Sequence, residues 1–168
     1  MPRMVDLNVT TYWWIPGVAG IANPDAISAA VLTAAKNISV YTVATTNVGP
    51  TDSDTVSEKG ITDTSNSEVP IIGNYQGMLN LFRDLAAGVA TVNDPLTTIG
   101  ATSGISGWIV KRIGQSSSTA AAASQKVDAY LFMTDVPVPG GGQGDGYLKV
   151  AIKLLQQGTY RLQTTLVA

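Results

Sequence analysis

The chain has 168 residues, 45% hydrophobic and 13% charged, with ten basic and twelve acidic side chains and a formal net charge of −2. Cysteine and histidine are both absent, which excludes disulfides, thiolate metal sites and cysteine nucleophiles and removes the commonest general base. No basic stripe is available for clamping nucleic acid, and no run approaches the roughly 20 apolar residues of a membrane span.

A charged content of 13% is about half that of an ordinary soluble domain, with Thr, Ser, Gly and Ala in place of the charges. Such a surface is expected to be covered by neighbouring subunits; the alternative is a Thr/Ser-rich β-surface on a monomer. The length fits one domain spanning 1–168 around a single core. The N-terminal MPRMVDLNVTT lacks the apolar run of a signal peptide, so a soluble protein made in the cytoplasm is expected.

In chain order, Val5 to Trp14 alternates, with Val5, Leu7, Val9 and Trp13 on one face and Asp6, Asn8, Thr10 and Tyr12 on the other. This predicts a half-buried strand that ends at the turn signal Pro16-Gly17. Trp13 is expected in the core, and Trp14, pointing the other way, is an exposed aromatic or a subunit contact. Asn23-Pro24-Asp25 reads as a helix start, with Asn23 capping and Pro24 at the first helical position. Ile27, Ala30, Val31 and Ala34 then recur at helical spacing until about Lys36-Asn37. Ile38 to Thr46 returns to β alternation.

Val48 to Val69 has little apolar content beyond Val56 and Ile61, and carries Asp52, Asp54, Glu58, Asp63 and Glu68 against the single basic Lys59. It reads as a long polar loop, of a length that compact domains seldom leave without structure of its own. Ordering some twenty residues costs on the order of 20–40 kcal/mol of backbone entropy, which so few apolar side chains do not offset. The loop is therefore disordered in the free subunit or ordered against another one. After Pro70 and Gly73, a strand from Tyr75 to Arg83 places Tyr75, Leu79 and Leu81 on one face. Gln76, Met78, Asn80 and Phe82 occupy the other, a mixed surface suited to a subunit interface or a lumen.

Leu85 to Thr98 mixes helix-favouring Ala86, Ala87 and Ala90 with Gly88 and β-branched residues, and Asn93-Asp94-Pro95 predicts a second short helix that stops by Gly100. Trp108 to Ile113 is a predicted strand, with Trp108 and Val110 opposite Ile109 and Ile113. Ser116 to Ser124, SSSTAAAAS, is of low complexity and reads as a flexible loop or an exposed helical turn. Val127 to Thr134 is a strand with Val127, Ala129, Leu131 and Met133 on one face. PVPGGGQGDG at Pro137–Gly146 is the strongest turn signal. Tyr147 to Leu155 alternates, with Leu148, Val150, Ile152 and Leu154 inside and Lys149 and Lys153 outside. A turn at Gln157-Gly158 should lead into a last strand, Thr159 to Val167, with Tyr160, Leu162, Thr164 and Leu166 on one face. Six or seven strands with one or two short flanking helices make a mainly β, antiparallel sandwich or barrel.

The usual signatures of chemistry are missing. The glycines of Gly140–Gly146 fit neither a dinucleotide-binding nor a phosphate-binding loop, and a hairpin connection accounts for them. Ser103 and Ser106 do not form a nucleophile elbow and have no histidine to activate them. Asp52 and Asp54 resemble the start of a calcium loop, but Val56 stands where the third ligand belongs. No spacing singles out a pair of carboxylates for acid/base work. Neither catalysis nor a metal or cofactor is expected.

The segments VSEKGITDTSNSEVPIIGNYQGMLNLFRD, GWIVKRIGQ, KVDAYLFMTDVPV and GDGYLKVAIKLLQQGTYRL, with NPDAISAAVLTAAKNIS ahead of them, resemble the major tail tube proteins of bacteriophages with long, non-contractile tails, particularly those infecting actinobacteria. The likeness spans roughly Asn23 to Leu162 and is weakest over Gly88 to Ser106. It implies a β-sandwich or barrel subunit with a flanking helix, six copies forming a ring and rings stacking into a tube. It also implies kinship with the tubes of contractile tails and type VI secretion systems, and sheets that join edge to edge around a lumen. The implied partners are further copies of the chain and other tail proteins, such as the tape measure and the terminator. The implied place is the virion tail, with no membrane and no cofactor. The wall would pass double-stranded DNA during ejection without binding it, and low basic content suits that role. The resemblance further implies that the loop of Asp52, Asp54, Glu58, Lys59, Asp63 and Glu68 reaches a neighbouring subunit or ring.

Two other readings compete. One is another virion β-sandwich, such as a capsid decoration protein or a tail-terminator ring. The other is a carbohydrate-binding module stacking sugars on Tyr12, Trp13, Trp14 and Trp108, although aromatics on alternating strands belong more often to a core.

Overall fold

In the computed structural model, which describes residues 9–58, 67–140 and 147–168, the backbone is mainly β with two short α-helices. The elements in order are β1 (Thr10–Pro16), α1 (Ala29–Ala34), β2 (Lys36–Asn37), β3 (Asn47–Glu58), β4 (Ser67–Phe82), β5 (Leu85–Ala86), β6 (Val89–Ala90), α2 (Pro95–Ile99), β7 (Ser106–Ile113), β8 (Lys126–Thr134), β9 (Val138–Gly140) and β10 (Lys149–Thr165). Described strands pair antiparallel in the order β2-β1-β7-β8-β10-β4-β3, with β9 also on β10 and β5-β6 a separate hairpin.

This continuous sheet becomes a sandwich through β10. Its residues Lys149–Leu154 pair with β4, whereas Leu154–Thr165 pair with β8. Within the second of those stretches the register shifts twice, between Gln156 and Tyr160 and between Arg161 and Thr164, and Gly158 (φ 76°) and Gln163 (φ 54°) take left-handed backbone. Strands that change layers do so through such bulges. The sequence reading placed a turn at Gln157-Gly158 and a separate last strand. The chain instead runs on as one seventeen-residue strand, because a glycine with positive φ serves a bulge as well as a turn.

The first layer, β2-β1-β7-β8, is covered on both faces. Tyr12, Trp14, Ile109, Tyr130 and Phe132 face the second layer, where they meet Val48, Tyr75, Leu79, Leu81, Val150 and Ile152. Trp13, Ile15, Trp108, Val110 and Val127 face outward into a second cluster closed by Ile21, Ile27, Leu32 and Leu166. Trp14 is thus core, only 1% exposed, and neither an exposed aromatic nor a subunit contact. Alternation assigns one face of a strand to water, and that inference fails where both sides are covered.

Connections depart from the sequence reading for local reasons. Asn23 and Asp25 form a side-chain turn, and α1 begins later, at the cap Ser28, whose hydroxyl accepts from the Ala30 N–H. The start is delayed because Ile27 and Ala29 exchange backbone hydrogen bonds with Val167, which keeps that segment extended. Ile38 to Thr46 is not a strand. The Ser39 hydroxyl takes the Tyr12 N–H, and Thr42 and Thr46 bond the Ile38 and Asn80 carbonyls, so hydroxyls replace a ladder. The second helix forms as read, from Pro95 to a stop at Gly100. Leu148 is exposed and not inside. The N-terminal half of the predicted first strand and Gly141–Gly146 lie outside the described residues.

Candidate assembly surface

Of the polar stretch read as a loop, residues 48–58 and 67–69 are strand. Asn47 to Glu58 pairs with Ser67 to Met78 in one long hairpin. Side-chain burial is not the only source of order for such a stretch. Here the strands satisfy each other's backbone groups, which needs no apolar side chain. Near the body the hairpin is core, with Val48, Tyr75 and Leu79 buried. Beyond Thr51 it leaves the body: Asp52 to Ser57 are all exposed, as are Pro70, Ile72 and Gly73 opposite them. Both faces of this ribbon are wet. The register slips on either side of Asp54, and Pro70, which has no N–H to give, sits where the ladder is already broken.

The root of the ribbon is clamped. The Tyr75 hydroxyl donates to the Leu131 carbonyl at 2.6 Å and accepts from the Gln157 N–H at 2.8 Å. The Gln156 side chain accepts from the Tyr75 N–H at 3.0 Å and donates to Asn74 at 3.3 Å, and Asn74 donates to Asp54 Oδ1 at 3.1 Å. Burial pushes the Tyr75 phenol above its ordinary value, which keeps it a neutral donor and acceptor. Gly73 lies under the Tyr160 hydroxyl, leaving no room for a Cβ.

Of the six residues singled out on this stretch, Asp52 is exposed on the ribbon and Asp54 is tied to Asn74. Glu58 and Glu68 belong to paired strand ends, but their side chains, and Lys59 and Asp63 altogether, lie outside the described residues.

On β4 the two faces fall as the alternation predicts. Tyr75, Leu79 and Leu81 are buried, Gln76 and Met78 exposed, and Asn80 and Phe82 half-buried. Asn80 is occupied within the chain, its side chain donating to the Thr45 carbonyl and its N–H to the Thr46 hydroxyl. Phe82 packs edge-on against Tyr147 at 5.5 Å, with the Lys149 ammonium 5.7 Å from its ring centre. Gln76 and Met78 stay open beside a shallow depression that Asn47 and Lys153 also line.

The register supplies what sequence reasoning missed. Lys149 stands opposite Phe82, Ala151 opposite Asn80 and Lys153 opposite Met78. The lysines were read as outward-facing, but only the strand pairing places them on the same sheet face as Gln76, Met78, Asn80 and Phe82.

Tyr12, Trp13, Trp14 and Trp108 are all buried, so they cannot stack on a sugar, and the carbohydrate-binding reading falls. Among the described residues no group of three potential metal ligands occurs. No described helix is long and apolar enough to cross a membrane.

A family model described as phage tail tube protein matches residues 1–168, the whole chain. No curated protein matches the chain.

Proposed function

The chain belongs to the phage tail tube protein family, and on that premise we propose that it is the repeating subunit of a tube in which six copies close a ring, rings stack end on end, and genomic DNA passes through the lumen on ejection. Membership itself carries a structural role in the tail tube, oligomerisation with other tail proteins and a place in the virion tail. The match over the whole length favours the tube over a capsid decoration protein or a terminator ring. The tape measure inside the tube and the terminator at its end are the further partners of this reading, with siphophage tails its setting.

The observation that carries the reading is the projecting ribbon of β3 and β4. Its exposed part, Asp52–Ser57 with Pro70, Ile72 and Gly73, adds nothing to the subunit's own core, yet its root is fixed by Tyr75, Asn74 and Gln156. A rigid extension that contributes no burial at home suits contact with a neighbour in the same ring or the next one. The described sheet also ends at β3, whose outer edge is open to pairing. Closing such edges around a ring removes an aggregation hazard that an isolated sheet would keep.

The test is to replace Asp52–Gly73 by Asn-Gly, a two-residue turn that joins the paired positions Thr51 and Asn74. The product should fold with near-normal circular dichroism and stay as free subunits under conditions where the intact chain forms tubes in negative-stain micrographs. Tubes of normal diameter and length from this variant would refute the assembly role of the ribbon.

A further inference from the structure

We infer that the outer face of β4 and β10, with Lys149 opposite Phe82 at one end and Lys153 opposite Met78 at the other, is the surface on which the acidic β3–β4 ribbon of a second copy docks. The inference rests on the tube reading and names the receptor for its projecting element.

Charge separation is the first argument. Residues 48–68 hold five acids and one base, a net of −4, in a chain whose total is −2, so the remainder is +2. The chain is thus an acidic arm on a mildly basic body. On that body Lys149 and Lys153 are exposed on one face. Among the described residues the ion pairs are Arg83–Asp94 and Arg161–Asp25, and neither lysine has a carboxylate partner among those residues.

The second argument is apolar. Met78 is 40% exposed and Leu155 39%, and Val138, which pairs beside Ala151, is 60% exposed. A basic rim around apolar side chains is an interface surface that one subunit leaves uncovered. The third is function. Two lysines per copy on the wall of a DNA conduit would hold phosphates through counterion release, so free passage requires this face to be covered. Reach is sufficient: Asp52 to Glu58 extends about 20 Å at strand rise, against about 14 Å from Lys149 to Lys153. Arm on face is a head-to-tail contact, which repeats from copy to copy.

A charge swap in the full chain tests this. K149E/K153E and, separately, D52K/D54K should each remain folded by circular dichroism and lower the fraction of protein in tubes roughly tenfold or more. The four substitutions together should restore tubes, and raised salt should weaken wild-type assembly. Tubes from K149E/K153E at wild-type yield, as expected were the face turned to DNA, would overturn the inference, and so would a fourfold variant that stays unassembled. Because the chain has no cysteine, mixing D52C with K153C gives a second readout. A disulfide-linked pair of the two supports the contact, and linkage of D52C only to itself overturns it. Should the wild type form no tubes while D52C and K153C still pair, the docking stands and the tube reading fails.

Discussion

In the layer of β1, β7 and β8 side chains are covered above and below, by the second layer on one side and by α1 and the chain around Val167 on the other. In the layer of β4 and the first part of β10 the inner side chains are covered as completely, but Gln76, Met78, Lys149 and Lys153 are exposed on the outer face. Both layers have the same sandwich interior. What separates them is whether their second face is closed by the chain itself. The closed layer is therefore where substitutions act on folding, and the half-open layer is where they act on association.

Substitutions can sharpen or break that contrast. Trp14→Ala in the closed layer should cost about 3–5 kcal/mol in urea unfolding, since a fully buried indole leaves a cavity that neighbours on both sides cannot fill. Arg112→Met should cost about 2–4 kcal/mol. The Arg112 guanidinium lies over the Trp13 ring and donates to Thr11, Gln125 and the carbonyls of Ser116, Thr119 and Ala120. Its loss should also speed amide exchange across residues 116–125. Gly107→Ala should cost about 1–3 kcal/mol, because a Cβ there would meet the Trp14 ring and the Ile15 carbonyl, while Gly49→Ala, with open space, should be near neutral.

Alkaline pH should act on the shared interior. Burial raises the pKa of both Tyr75 and Tyr130. Their contribution is intact below the ordinary phenol value of about 10 and is lost as pH rises through the higher folded values. Urea midpoints measured from about pH 8 to about pH 12 should fall in step with tyrosinate absorbance; a midpoint that does not move would contradict it. The smallest effect on stability belongs to Met78→Ala, at most about 0.5 kcal/mol, with its consequence appearing in tube yield. A Met78→Ala loss comparable to that of Trp14→Ala would erase the distinction between the layers.

Legibility in the sequence followed the same division. Tyr75 to Phe82 has one wet face, so its alternation gave the correct side of every residue. Tyr12-Trp13-Trp14-Ile15 has none, and alternation misassigned Trp14. The ribbon was invisible for the opposite reason. Asp52 to Ser57 has two wet faces and no apolar period, so only its pairing with β4 identifies it as a strand. The Asn93-Asp94-Pro95 start was legible, yet Asp94 does not cap α2 with its side chain. It is fully buried, accepting from Arg83 and the Asp84 N–H. That pairing, like the position of Lys153 beside Met78, depends on long-range register that local pattern does not contain.

β10 follows its partners β4, β8 and β9 in the chain, and it also carries Gln156 and Gln157, which fix Tyr75 at the foot of the ribbon. Without β10 the hydrogen-bonded path from β8 to β4 is interrupted, and of the bonds that hold the foot of the ribbon Tyr75 keeps the one to the Leu131 carbonyl. Because one strand both joins the layers and holds Tyr75, the setting of the ribbon depends on the joining of the two layers.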